Sequence, residues 1–219
     1  MKKPYLFFDL DGTLTDPMIG ITRSVQYALA SFGIEENDLH QLCPFIGPPL
    51  KDSFREFYGF SNEQAEIALI KYREYFSKRG IFENQVYDGI PALLVQQKKS
   101  GHKLMLATSK PEIFARQILD YFNLSQYFSF IGGSTLDGKR STKTDVIRYV
   151  LKSNQIENPS DVIMIGDRKH DIEGAQANNM QSIGVLYGYG SEKELYEAGA
   201  NIIASSVTHL HNILNTIIY

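Results

Sequence analysis

The stretch Phe7-Phe8-Asp9-Leu10-Asp11-Gly12-Thr13-Leu14-Thr15-Asp16 decides how this chain is read. It begins inside a short apolar run, residues 5–8, that stops abruptly at Asp9. A run of this length ended by a polar residue reads as a strand buried on both faces. Asp9 and Asp11 are two apart, so on an extended chain they point to the same side, about 6.6 Å from each other along it. Two carboxylates placed so repel each other unless a cation sits between or near them. Gly12 permits the tight turn that follows. One aspartate here would read as a turn or capping residue. Two at this spacing, with a second pair elsewhere, fit that reading poorly.

Working outward, the same pattern recurs. Residues 103–107 end at Thr108-Ser109, 128–131 at Gly132-Gly133, 162–165 at Gly166-Asp167, and 182–186 in a turn with Gly188 and Gly190. Between the later runs lie helical patterns at 111–122, with Pro111 in a first-turn position, at 144–153 and at 170–178. Strands alternating with helices imply a parallel sheet built from right-handed crossovers. Between the first two runs no strand is readable. Ile19, Val25, Ala28, Leu29 and Phe32 fall near helical spacing, as do Ala65, Ile67, Ala68, Ile70 and Tyr72. Residues 17–84 therefore read as an aromatic-rich helical insertion, after which Asp88-Gly89-Ile90-Pro91 opens the helix leading back to the sheet.

Composition narrows the function classes. The 219 residues carry 22 Lys plus Arg against 25 Asp plus Glu, a net charge of −3, and are 43% hydrophobic. That supplies a sizeable core and gives no general pull toward nucleic acid or an anionic membrane. Cys43 is the sole cysteine, which excludes an intramolecular disulfide and a cysteine metal cluster and fits a reducing cytoplasm. The start, residues 1–4 and then four apolar residues, is too short an apolar region for a secretory leader, and residues 217–219 are too short to anchor the chain. No apolar run approaches the roughly 20 residues of a spanning helix. The five histidines show no ligand spacing.

Parallel sheets place their sites at the carboxyl ends of the strands. Those ends carry Asp9 and Asp11, Thr108 and Ser109, and Asp167 and Asp171. In Gly166-Asp167-Arg168-Lys169-His170-Asp171 the two acids fall about one helical turn apart, where dipole and capping chemistry alone would also accept them. Together with Asp9 and Asp11 they make an oxygen-rich acidic cluster suited to a hard cation such as Mg2+. Thr108 and Ser109, with fresh backbone N–H groups at a strand-to-helix junction, suit an anion, and equally a plain N-cap. Lys143 reads either as a solvated lysine or as a point charge that neutralises the aspartates and binds phosphate. The glycine-rich stretch 184–190 reads as a flexible connection.

Asp9-x-Asp11-Gly12-Thr13, a Thr or Ser after the second strand, a Lys leading a helix and Gly166-Asp167-x-x-x-Asp171 occur in that order. This resembles the phosphatase branch of the haloacid dehalogenase superfamily, over about residues 5–210. Within it, residues 16–29, 47–50, 132–147 and 166–175 are most similar to phosphoglycolate-phosphatase-like proteins, especially the 5′-nucleotidase-like group. Lys143 is followed by Thr144-Asp145-Val146, where many phosphoglycolate phosphatases carry a K-P-x-P.

The resemblance implies an α/β fold, with a Rossmann-like doubly wound parallel sheet from residues 1–16 and 85–219 and an inserted α-helical cap over 17–84. It implies an Mg2+-dependent hydrolase of small phosphorylated metabolites, cytoplasmic and acting on neither nucleic acid polymers nor membranes, with a nucleoside monophosphate as substrate. A phosphoglycolate phosphatase, a β-phosphoglucomutase-like mutase and, more remotely, a receiver-like signalling domain are the alternatives. Asp9 would be the nucleophile that forms an aspartyl-phosphate, and Asp11 the acid and base. Asp9, the backbone carbonyl of Asp11 and Asp167 would hold the metal, with Asp171 supporting them. Thr108 and Lys143 would grip the transferring phosphoryl group. Ser109, Gly12 and, from the cap, Arg23, Lys51 and the 47–50 loop would contact substrate.

Overall fold

The computed structural model describes residues 4–217. The terminal residues on which part of the leader and anchor reading rests, 1–3 and 218–219, lie outside them. In chain order the first elements are β1 (Tyr5–Phe8), β2 (Thr15–Asp16), α1 (Met18–Ala30), α2 (Leu50–Tyr58), α3 (Asn62–Tyr75), β3 (Gln85–Val86) and α4 (Ile90–Lys99). There follow β4 (Lys103–Pro111), α5 (Glu112–Tyr121), β5 (Phe128–Ser134), α6 (Lys143–Ser153), β6 (Val162–Gly166) and α7 (Lys169–Gln176). The chain ends through β7 (Gln181–Val185), α8 (Glu192–Glu197), β8 (Ile202–Ala204) and α9 (Val207–Ile217). It divides into two compact units, Met1–Asp16 with Val86–Tyr219, and Pro17–Gln85.

The first unit is a six-stranded sheet in the order β5-β4-β1-β6-β7-β8. Every pairing is parallel. This is a doubly wound α/β fold: the chain steps outward from β1 on one side, then returns and steps outward on the other. The reversal lies at β1 and β6, and ligands bind beyond the carboxyl ends of strands at such a switch point. Phe7 pairs in register with Met105 on β4 and Met164 on β6. These three share one core cluster with Val146, Ile147 and Val150 of α6. Leu6 and Phe8 point to the opposite face and are equally buried, so β1 is covered on both sides. Burying each such side chain contributes about 1.5–3 kcal/mol before conformational entropy is charged against it.

Three local differences from the sequence reading bear on the site. Strand β4 does not stop at Ala107 but runs on to Pro111, because β5 also continues and pairs with it as far as Pro111↔Ser134, across a register shift. Thr108 and Ser109 are thus strand residues and not a strand-to-helix junction. Helix α6 starts at Lys143, one residue early, capped by the Thr142 hydroxyl accepting from Asp145 N–H. The run at 182–186 is not the last strand: β8 adds an edge, and α8 and α9 follow.

The second unit is helical. Helix α3 opens on a reciprocal capping box between Ser61 and Gln64, and α2 closes on Gly59 at φ 65°. Gly20 of α1 donates its N–H to Glu83 O at 2.9 Å and meets the backbone of Gly80 so closely that a Cβ would overlap it. Phe45, Phe54 and Phe60 form its aromatic centre, with Phe54 and Phe60 stacked at 5.8 Å. Among the described residues, no helix is long and apolar enough to cross a membrane.

Candidate active site

The β1–β6 ladder extends one residue past β1, through Asp9 N–H to Ile165 O at 2.9 Å. This fixes Asp9 beside the end of β6. The chain then folds back on itself, with the carbonyl of Leu10 accepting from the N–H groups of Thr13, Leu14 and Thr15. Gly12 sits in that turn at φ 80°, and a Cβ there would overlap the Asp167 carboxylate. Gly12 thus serves both the turn and the close approach of β6.

Asp167 follows β6 and is fully buried. Two neutral donors hold it: Tyr189 N–H on Oδ2 at 2.8 Å and the Thr13 hydroxyl on Oδ1 at 3.4 Å. Asp171 lies in the first turn of α7, where its Oδ2 accepts from Arg168 N–H at 3.1 Å. Gly166 leaves the space its carboxylate fills. Carboxylate oxygens of Asp9, Asp167 and Asp171 all fall within 4.8 Å of one another.

Lys143 enters this cluster from the start of α6. Its Nζ lies 2.7 Å from Asp9 Oδ1 and 2.7 Å from Asp171 Oδ1, and donates to Ala107 O at 3.0 Å. Gly174 on α7 makes room for its stem, since a Cβ there would stand 2.9 Å from Lys143 Cγ. One ammonium thus stands in direct contact with a cluster of three buried carboxylates.

The titration behaviour follows. Burial, then Asp171 and Asp9, pushes Asp167 well above the usual carboxylate range. Burial also raises Asp171, against the opposing pull of Lys143 and with Asp9 adding to the rise. Burial alone would lower the Lys143 ammonium, but Asp171 and Asp9 outweigh it and hold it at about 12. The lysine answers to two anions, whereas Asp167 and Asp171 answer to desolvation and to their like-charged neighbours.

Asp11 faces a different partner. Its Oδ2 accepts from Lys110 Nζ at 2.5 Å, with both side chains largely buried. Burial raises its carboxyl, opposed by Lys110. Thr108 is buried, and its Oγ1 accepts from Lys110 N–H at 3.3 Å. Ser109, between them on the strand, is half-buried. The structure therefore gathers Asp9, Asp11, Gly12, Thr108, Lys143, Asp167 and Asp171. Arg23 and Lys51 belong to the helical unit, where they pair with Glu83 and Glu66 on the surface.

The stretch 184–190 is not a loose connection. Besides the Tyr189 N–H bond to Asp167, Tyr187 Oη donates to Thr13 O at 3.1 Å and Tyr189 Oη donates to Asp16 Oδ1. Gly188 and Gly190 lie against Asp167 with no space for a side chain. Sequence reasoning also missed Lys110 and Gly174. The period-two spacing of Thr108 and Lys110, matching that of Asp9 and Asp11, was the available signal for Lys110.

The family described as haloacid dehalogenase-like hydrolase matches residues 6–185. The chain is 51% identical to a 5′-nucleotidase of Pseudomonas aeruginosa, over 89% of this chain and 88% of that one. It is 37% identical to the tyrosine-protein kinase PtkA of Mycobacterium tuberculosis, over 93% of this chain and 69% of that one. The crystal structure of a predicted phosphatase from Clostridium acetobutylicum superposes with a TM-score of 0.96 at 54% identity, covering 99% of this chain and 100% of that one.

Proposed function

The chain belongs to the haloacid dehalogenase-like hydrolases and is a phosphatase, and from that premise we propose that it is an Mg2+-dependent hydrolase of small phosphomonoesters acting through an aspartyl-phosphate. The observation that carries the reading is the set of three buried carboxylates, Asp9, Asp167 and Asp171, with the Lys143 ammonium in direct contact with two of them. An all-oxygen donor set of clustered carboxylates suits Mg2+. Asp9, Asp167 and the backbone carbonyl of Asp11 would hold it, with Asp171 supporting from behind. When bound, it supplies the positive charge that lets an anionic phosphate approach these carboxylates.

The chain's own residues do the rest. Lys143, locked between Asp9 and Asp171, orients the Asp9 carboxylate for in-line attack. An Asp9 oxygen forms a bond to phosphorus as the bond to the leaving oxygen breaks. That oxygen takes the proton from the Asp11 carboxyl and departs as an alcohol. Water then attacks the phosphorus of the aspartyl-phosphate as the bond from phosphorus to the Asp9 oxygen breaks; the water's proton passes to the Asp11 carboxylate, the Asp9 carboxylate is restored, and inorganic phosphate leaves. Burial, which raises Asp11, favours the protonated form the first step needs. The Thr108 hydroxyl and Lys143 hold the phosphoryl oxygens.

The helical unit acts as the cap that selects substrate, with Arg23, Lys51 and the 47–50 loop as the contacts, and Ser109 in a lesser part. A nucleoside monophosphate is the favoured substrate, supported by the 51% identity to the Pseudomonas 5′-nucleotidase. Phosphate release from nucleoside monophosphates, phosphoglycolate and sugar phosphates, with Mg2+ and with EDTA, tests the reading. Release confined to Mg2+ and greatest on the nucleotides supports it. A phosphoglycolate maximum would replace the substrate class, isomerisation of a sugar phosphate without release would replace the hydrolase with a mutase, and release undiminished by EDTA would remove the metal.

A further inference from the structure

Lys110 has no place in the mechanism above, yet it is one of the few buried lysines and spans 99 residues of sequence to reach Asp11. Its side chain stands on the same side of β4 as that of Thr108, because the strand continues through this point. The register shift between Thr108 and Pro111 and the Lys110 N–H bond to Thr108 Oγ1 fix the backbone from which it projects. Its ammonium engages Asp11 Oδ2. The other oxygen, Oδ1, is buried without a hydrogen-bond partner. A buried polar atom left so is costly, and a ligand atom that hydrogen-bonds to Oδ1 removes that cost.

We infer that Lys110 is a positioning residue for proton transfer: by holding Asp11 through Oδ2 it reserves Oδ1 as the oxygen that hands the proton to the leaving group. The inference rests on the reading of Asp11 as acid and base given above. A carboxyl free to rotate would offer either oxygen in several orientations. One clamped by a short charge-assisted bond offers a single oxygen along a fixed direction. Lys110 itself touches neither phosphorus nor the leaving group in this scheme.

The consequence is specific to the leaving group. An alkyl phosphate, such as a nucleoside 5′-monophosphate, expels a strongly basic alkoxide and needs the proton as the bond breaks. p-Nitrophenyl phosphate expels a stable phenolate and needs it little. The constant kcat/KM covers events through release of the first product, so it isolates this step from later hydrolysis of the aspartyl-phosphate. The experiment compares kcat/KM for the two esters in the wild type, Lys110→Met and Lys110→Arg, with Asp11→Asn as the reference for lost proton transfer. Lys110→Met is expected to lose about 10²- to 10³-fold on the nucleotide and less than about tenfold on p-nitrophenyl phosphate, the same direction of selectivity expected of Asp11→Asn. Lys110→Arg, which keeps a charged donor, is expected to restore most of the nucleotide rate.

A partly unfolded preparation lowers both constants equally and leaves their ratio unchanged, so the ratio reads position and not stability. Equal losses on both esters in Lys110→Met, or a loss that is wholly a rise in KM, would overturn the inference and make Lys110 a structural or substrate-binding lysine. If Lys110→Met yields no folded protein, the same ratio is read from Lys110→Gln. A wild type that cleaves neither ester would instead overturn the phosphatase mechanism itself, and the positioning role with it.

Discussion

Lys143 Nζ lies 2.7 Å from Asp9 Oδ1, and both side chains are nine-tenths or more buried. The same ammonium reaches Asp171, so one cation holds two of the three clustered carboxylates. Its removal is costly twice over. Lys143→Met should lower turnover by about 10³-fold or more, since the charge at the phosphoryl site is lost. It should also destabilise the fold by about 3–5 kcal/mol, because buried carboxylates are left uncompensated. Lys143→Arg should not rescue activity: Gly174 leaves room for a slim stem, and a planar guanidinium does not replace a compact ammonium between two acids. Thermal melts and turnover of both variants check this.

Metal removal should change how stability depends on pH. Asp167 and Asp171 are raised in the folded chain, whereas unfolded aspartates titrate near about 3.9. Between those values the folded state binds more protons than the unfolded one, so metal-free stability falls as pH rises. Burial lowers the imidazole of His170, which works the other way over part of the same interval, with and without metal alike. The quantity to read is therefore the rise in Tm on adding Mg2+ to EDTA-treated protein. It should be several degrees at pH 7.5 and distinctly smaller at pH 5.5, as protons compete for the same oxygens.

Glycines around Asp167 should resist substitution. Gly190→Ala and Gly188→Ala each place a methyl group against this buried residue. A cost of about 1–3 kcal/mol is expected from the forced shift, with activity down at least about tenfold as the carboxylate moves. Tyr187→Phe removes only one bond, from a phenol that burial raises and keeps as a neutral donor, and should cost about 1 kcal/mol. Melts and Mg2+ titrations separate the two classes.

Arg23 and Lys51 make exposed ion pairs, which contribute little to stability. Arg23→Ala and Lys51→Ala should leave Tm within about 2 °C of the parent. In the cap reading each raises KM for a nucleoside monophosphate several-fold with kcat nearly kept. Steady-state kinetics on the two variants decide whether either touches substrate.

The strands that carry the acidic motifs were readable because each is an apolar run cut short by a polar or glycine residue. Reading those ends finds Asp9, Asp11, Thr108, Asp167 and Asp171, a lysine leading a helix adds Lys143, and the fold brings them together. What escaped depends on distant partners. Lys110, between Ser109 and Pro111, reads as a surface lysine until β5 lengthens β4 and turns it inward. The 186–190 segment reads as a slack glycine connection until Asp167, about twenty residues upstream, is seen to fill the space its glycines leave. Strand β8 is three residues long, too short for a periodicity to show. Helix α2 buries only Ser53 and Phe54 along its nine residues, so its apolar stripe is faint.

In the proposed reaction Asp9 carries the phosphoryl group during turnover. Acid quenching of the protein at work on a nucleoside monophosphate with Mg2+, followed by digestion and peptide mass analysis, tests it most directly. The account predicts one added phosphoryl group on the peptide containing Asp9, absent in EDTA and absent with its turnover in Asp9→Asn. Steady phosphate release from Asp9→Asn at near the wild-type rate, or a phosphoryl group trapped on another residue, would contradict it.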